Sequence, residues 1–378
     1  MGINKDSLKG YLLEEVLAYL IRNSGYKLLV HSDQHPRDLA MRSHGLVVKG
    51  RGALHQADVL GQLEWIPAFT FPIRLFVEAK FKKASIGINE VRNAVGTLLD
   101  INQNNSPIRE TDKIYQKFQY VYALFSASGF SRYASEMALA HQISLIDMSG
   151  SEFDRLKSII ESVAIAVINK INYTRINKNG TLVKTDSSHY GKYTRKIRNI
   201  LRKKLETWPK EVAYPHISAD NDDEHVLGTA LSPAISAARE YNELFVAMAN
   251  GPFMLLLNAD NNDNFIRYAS TCQKHKVTIT WSAAEGKGTT WKIKPVDSRL
   301  NAPAYTLSFR LPKVLSRYIF GASTGIEKRA MHTKQEFFSK ITIYRHVDGI
   351  DYLFRLEYDA KKTKEHVEKY NRCIRRKS

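Results

Sequence analysis

Eight consecutive residues, Arg74-Leu75-Phe76-Val77-Glu78-Ala79-Lys80-Phe81, constrain this chain more than any other stretch. The run is rich in β-forming residues, and side chains alternate across a strand, so Glu78 and Lys80 share one face while Leu75, Val77 and Ala79 take the face toward a core. Packing alone does not account for a carboxylate and an amine two residues apart. Ahead of it, beyond a Trp/Phe/Pro-rich insertion at residues 64–72, Ala57-Asp58-Val59-Leu60-Gly61 reads as the preceding strand, with Asp58 as its one acidic residue.

An Asp on one strand and a Glu-x-Lys on its neighbour is a minimal kit for metal-assisted phosphodiester cleavage. A hard cation such as Mg²⁺ prefers oxygen ligands, accepts one or two carboxylates and keeps several waters for phosphate and nucleophile. Asp58 and Glu78 are the candidate ligands, and Mn²⁺ is expected to substitute for Mg²⁺. The amine of Lys80 would orient or deprotonate the attacking water and offset charge building on the phosphate. Such triplets are common on surface strands, so the surrounding sequence has to carry the assignment.

The 378 residues provide room for two or three domains, and 43% apolar content is ample for a packed core. A formal charge of +18 points to a polyanionic partner, DNA before membrane, against the blander reading of a merely basic soluble protein. Cys272 and Cys373 are the two cysteines, which excludes a disulfide framework and, even with His275 nearby, supplies too few ligands for structural zinc. A reducing, cytoplasmic setting follows as the expectation, as does solubility: residues 156–171 are interrupted by charges and residues 244–257 by Asn250-Gly251-Pro252, so neither reads as a membrane span.

Residues 7–23 carry a helical apolar stripe (Leu8, Leu12, Val16, Tyr19) that stops at Asn23-Ser24-Gly25. An acidic side chain projects from this stripe, and helix geometry alone leaves Glu14 and Glu15 equally placed; each is either a half-exposed charge or a carboxylate aimed at a metal. Residues 26–30 read as a strand and 31–51 as irregular. His55 falls on the opposite strand face from Asp58, which suits a structural or DNA-contacting histidine better than a catalytic one. A second amphipathic helix spans residues 86–102, with Arg92 outward and Lys82 and Lys83 just ahead of it. Then follow a strand (118–126), a turn, a short helix (132–141) and a strand (143–147), the grammar of a mixed α/β sheet.

Leu124-Phe125-Ser126-Ala127-Ser128-Gly129-Phe130-Ser131, followed by Ala134, Ala138 and Ile143-Ser144-Leu145-Ile146-Asp147, resembles the closing strand-helix-strand of Mrr-like restriction endonucleases, members of the PD-(D/E)xK nuclease superfamily. A Glu in the first helix, an Asp-bearing strand, a Glu-x-Lys strand and a helix resembling Val91-Arg92-Asn93-Ala94-Val95-Gly96 precede it in the family's order, over roughly residues 7–150. The resemblance selects Glu14 over Glu15 as a third, assisting carboxylate. It implies a restriction-endonuclease-like mixed sheet flanked by helices, cleavage leaving 5′-phosphate and 3′-hydroxyl ends, and a role in bacterial defence. Where the family often has Asp-Gly-Gly-Ile-Asp, this chain has Gly52-Ala53-Leu54-His55-Gln56-Ala57-Asp58, a departure that bears on DNA contact more than on metal chemistry.

Residues 152–172 read as a helix leading out of the first domain. Residues 170–210 are dense in Lys and Arg, and within them an amphipathic helix presents Arg195, Lys196, Arg202 and Lys203, either a phosphate-backbone contact or an ordinary solvated face. From residue 215 onward the pattern turns to strands, expected at 253–257, 265–268, 277–281, 289–293, 305–309, 341–344 and 352–358. Gly286-Lys287-Gly288-Thr289-Thr290 has no following helix and reads as a hairpin turn, not a phosphate loop. The expected organisation is therefore a nuclease-like domain (1–150), a helical basic connector (151–214) and a β-rich recognition or regulatory domain (215–378), with a chain ending after Asn172 keeping the nuclease fold. The expected activity is Mg²⁺-dependent DNA cleavage using Asp58, Glu78, Lys80 and Glu14, with Lys82, Lys83, Arg92 and the basic helix on DNA. A junction resolvase or repair nuclease, and a non-cutting DNA-binding or sensor protein, are the alternatives. Homodimerisation and a regulatory ligand or partner at the C-terminal domain stay open.

Overall fold

The structure, a computed structural model, describes residues 5–42, 45–66, 69–104, 116–172, 175–176, 182–183, 244–250, 253–284, 288–297, 303–347 and 350–365. The basic segment with Arg195, Lys196, Arg202 and Lys203 lies outside them, as does most of the expected connector.

Helix α1 (Lys5–Asn23) buries Leu8, Leu12, Leu13, Leu17, Leu20 and Ile21. Its last turn is closed by the Ser24 hydroxyl, which donates to the Leu20 carbonyl at 2.7 Å, and Gly25 then takes φ +85°, a value that only glycine adopts without strain. The chain reverses there into β1 (Tyr26–Leu28). Within the stretch expected to be irregular (31–51), β2 (Leu39–Arg42) and β3 (Gly45–Lys49) form, and with β4 (Leu54–Gln56) they make a small antiparallel meander. Their brevity hides the alternation, but Leu39 and Val48 bury against the neighbouring layer and hold the meander in place.

The main sheet adds β5 (Val59–Leu63), β6 (Ile73–Lys80), β7 (Gln119–Ser126) and β8 (Ser144–Asp147) in the order β1-β5-β6-β7-β8. β1, β5 and β6 pair antiparallel, while β6, β7 and β8 run parallel, joined by α2 (Ile88–Asn102) and α3 (Arg132–Ala140). Parallel neighbours need such crossovers, and both sheet faces are consequently covered. Leu75, Val77 and Ala79 pack on the face of α1 and α4 (Asp154–Asn172). Phe76, Tyr122 and Leu124 pack on the opposite face, with Val91 and Ala94 of α2 and Ala134 of α3.

After a two-residue ladder, β9 (Arg175–Ile176) with β10 (Leu182–Val183), the described chain resumes in a closed seven-stranded barrel. Its strands are β11 (Leu244–Ala249), β12 (Met254–Ala259), β13 (Lys274–Ala284), β14 (Gly288–Pro295), β15 (Leu307–Arg310), β16 (Lys340–Val347) and β17 (Ile350–Tyr358), ordered β11-β12-β15-β14-β13-β17-β16 and closing back on β11. Helices α5 (Asn262–Thr271), α6 (Lys313–Phe320) and α7 (Ile326–Phe337) accompany it. The strand expected at 265–268 is part of α5. Asn261 caps that helix by accepting the Asn264 N–H at 2.9 Å, and Phe265, Tyr268 and Ala269 turn inward at i, i+3 and i+4.

The barrel and the sheet share apolar core. Along β11, Phe245 and Ala247 fill the barrel interior, whereas Leu244 and Val246, with Leu256 of β12, belong to the cluster built around α1 and α4. Arg310 donates to Glu152 at 2.9 Å and Lys313 to the Phe130 carbonyl at 2.5 Å across the same junction. Among the described residues no helix is long and apolar enough to cross a membrane.

Candidate active site

Strand β6 ends with Glu78 and Lys80 on the α2 face, at the carboxyl end of the parallel strands, where open α/β sheets leave a crevice. Asp58 sits one step ahead of β5. The register pairs Val59 with Val77, so Asp58 falls across from Glu78. Two bonds fix it there: its N–H donates to the Val77 carbonyl at 3.1 Å, and its Oδ2 accepts the Ala79 N–H at 2.8 Å. A carboxylate anchored to the neighbouring backbone by a charge-assisted bond is oriented before any ligand arrives.

Both oxygens of Glu78 are engaged. Lys80 Nζ forms an ion pair with Oε1, and the phenol of Tyr122, from β7, donates to Oε2. Glu78 and Lys80 are each about one quarter exposed (25% and 24%), so the pair faces solvent at one edge. Burial by itself disfavours the Lys80 ammonium, but the carboxylates of Glu78, Asp58 and Glu90 outweigh it and hold the amine above its ordinary range. For Tyr122, burial and then the adjacent Glu78 charge both push the phenol far up, so it serves only as a donor.

Asp58, Glu78 and Lys80 are therefore together. Glu14 is buried on α1, at 8% exposure, with Glu15 beside it at 2%. It completes no three-carboxylate group with the other two: among the described residues no set of three or more His, Cys, Asp or Glu side chains is positioned to hold a metal ion. Two oxygen donors with open solvent beside them still fit Mg²⁺, which is bound by one or two carboxylates plus waters and substrate phosphate, better than a cation that needs an all-protein cage.

Lys82 leaves the same strand end but donates to Glu90 at 3.3 Å, and Lys83 next to it is exposed. Arg92 is exposed on α2 and donates to Asn89 at 3.3 Å. His55 Nε2 lies 2.7 Å from Asp100 Oδ2, and the same carboxylate accepts the Gly52 and Ala53 N–H groups at 2.8 and 3.1 Å. The bond to His55, then those to Gly52 and Ala53, hold Asp100 below the usual carboxylate range. The backbone at Gly52 and Ala53 is thus latched to α2. Tyr122 was not identifiable from sequence, where it is one aromatic in a buried strand, because its contact depends on the parallel pairing of β6 with β7.

A mixed α/β sheet carrying an anchored Asp, a Glu and a Lys at one strand end, joined to a closed barrel, defines the chain's class as an acidic-site α/β protein. No known protein-family model matches it. No curated protein matches it either. Among solved structures, the crystal structure of a protein of unknown function, AF1548, is 14% identical over 52% of this chain and 98% of that one, with a TM-score of 0.26, too loose a likeness to bear on fold or function.

Proposed function

We propose that this protein is a Mg²⁺-dependent endodeoxyribonuclease with a restriction-endonuclease-like sheet of the Mrr type, acting in bacterial defence. The observation that supports this reading most is the convergence of Asp58, Glu78 and Lys80 at the carboxyl end of β6, with Asp58 locked by the Ala79 N–H. The ordered motif from Glu14 to Asp147 and the charge of +18 support DNA as the polyanion.

Asp58 and Glu78 would hold the metal in this reading, and Glu14, which forms no three-carboxylate group with them, is not needed for it. The bound Mg²⁺ supplies Lewis-acid stabilisation for the charge that builds on the phosphate. Lys80 swings from Glu78 toward the attacking water, orients it for in-line displacement and offsets negative charge on phosphorus oxygens. Asp58 keeps its place throughout because its second anchor is backbone. Lys82, Lys83 and Arg92 draw the phosphodiester backbone toward the strand end, with the basic segment at 192–204 adding sequence-independent affinity.

The test is cleavage of modified and unmodified plasmid with Mg²⁺ or EDTA. Asp58→Ala and Glu78→Ala should each lower the rate by about 10²-fold or more, the scale on which fixed electrostatic contacts to a transition state are lost. Both variants should still unfold cooperatively in urea, at midpoints lowered only by the loss of the Ala79 N–H or Tyr122 O–H bond, about 1–3 kcal/mol. Undiminished cutting in EDTA rules the reading out, and DNA binding without cutting under any metal favours a sensor.

A further inference from the structure

We infer that Tyr122 is a positioning residue that keeps Glu78 a one-oxygen ligand and so selects Mg²⁺ over Ca²⁺, an inference that rests on the nuclease reading. The two partners of Glu78 differ in how freely they can leave. Tyr122 is 2% exposed and stacked on Phe76 of the adjacent strand, ring centroids 5.0 Å apart at 21°. Phe76 and Tyr122 are register partners in the parallel pair, so the ring is fixed by the sheet itself and its hydroxyl reaches along β6 to Glu78 Oε2. Lys80 holds Oε1 from a flexible four-carbon stem with a quarter of its side chain in solvent. When a ligand displaces one partner, the lysine moves and the tyrosine stays. Oε1 is then the oxygen offered to a cation, and Oε2 remains occupied by the phenol.

That division has a consequence for metal choice. Mg²⁺ demands near-octahedral geometry with single-oxygen carboxylate ligation, whereas Ca²⁺ accepts both oxygens of one carboxylate in a looser, larger shell. A donor permanently on Oε2 opposes the two-oxygen mode. It also fixes the carboxylate plane, as hydrogen-bond partners of metal ligands do, at a typical worth of 10–100-fold in affinity. The competing explanation is that Tyr122 is a buried aromatic whose hydroxyl merely found an acceptor, as buried tyrosines usually do.

Tyr122→Phe keeps the ring and its stacking and removes one O–H. Calorimetric titration of the full chain with Mg²⁺ and, separately, Ca²⁺ should show Mg²⁺ affinity lowered about 10–100-fold, with Ca²⁺ affinity unchanged or raised, so that the ratio shifts toward Ca²⁺. On a Glu78→Ala background the same change should leave metal binding where it was. Near-UV circular dichroism of Tyr122→Phe should match wild type; a lost signal together with equal weakening of both metals assigns Tyr122 to packing and overturns the inference. An unchanged affinity ratio also overturns it while leaving the nuclease reading intact, provided wild-type binding depends on Asp58 and Glu78. Absence of any such binding in the wild type overturns both.

Discussion

Ending the chain at Asn172 should destroy the α/β half instead of isolating it. On the barrel side, Leu244, Val246 and Leu256 are 2%, 6% and 6% exposed, and all three are buried against the α1 and α4 cluster and not inside the barrel. Burying such side chains is worth roughly 1.5–3 kcal/mol each, so their removal forfeits roughly 5–9 kcal/mol, an upper figure because unfolded chains already bury some area. Whole domains are stable by only about 5–15 kcal/mol. The truncation also bares the facing residues of α1 and α4 and strands Glu152 without Arg310. Urea unfolding of residues 1–172 followed by circular dichroism, with dye binding as a measure of exposed apolar surface, should show a shallow or absent transition and strong dye uptake. In the full chain, Leu256→Ala should cost about 2–5 kcal/mol. A cooperative 1–172 fragment with the full chain's midpoint and no dye binding would refute the shared core and restore the sequence-based expectation that this half stands alone.

Two other outcomes are expected. Burial holds Lys334 of α7 down to about 8 from 10.5, so between those pH values the unfolded chain binds more protons and stability should rise with pH. Lys334→Met should therefore stabilise near neutral pH by about 3 kcal/mol at most, less about 1 kcal/mol for the lost contact with the Trp291 ring, and urea midpoints should show that gain vanishing above about pH 10. Neutralising Arg195, Lys196, Arg202 and Lys203 together should weaken binding to all DNA sequences alike and reduce the salt slope of log K by up to about 4, one per lost phosphate contact; an unchanged slope would make that segment a solvated face.

What the sequence made legible follows from the range of the interactions involved. The alternation in residues 74–81 and the stripe on α1 are local patterns, and they gave the faces that Leu75, Val77, Leu8 and Leu12 occupy. Phe265-Ile266-Arg267-Tyr268 is four residues long, too short to separate a period of 2 from one of 3.6, and its aromatics favour the strand reading. The decisive signal was Asn261, an N-cap side chain three residues ahead of the N–H that it accepts. Barrel closure was out of reach. β13 pairs parallel with β17, as Lys274 with Arg355, and β11 pairs with β16, as Ala247 with Ile343, and no short-range pattern encodes such partners.

The same distinction explains the site. Asp58, Glu78 and Lys80 were readable because one hairpin-like pair of strands brings them together, whereas the groups that orient them come from elsewhere: the Ala79 amide from the backbone, Tyr122 from a strand reached through α2. Glu14 is on α1, and α1 is pressed by both the sheet and the barrel, with Gly25 at its end lying against the Tyr344 ring of β16 so closely that any side chain there would strike it. The sheet and the barrel therefore meet through packed apolar side chains at α1 and α4, and not only through a linking segment. The element carrying the expected third carboxylate is held in register by the barrel, so substitutions on the barrel's outer face at Leu244, Val246 or Tyr344 act on the same helix as substitutions beside the acidic pair.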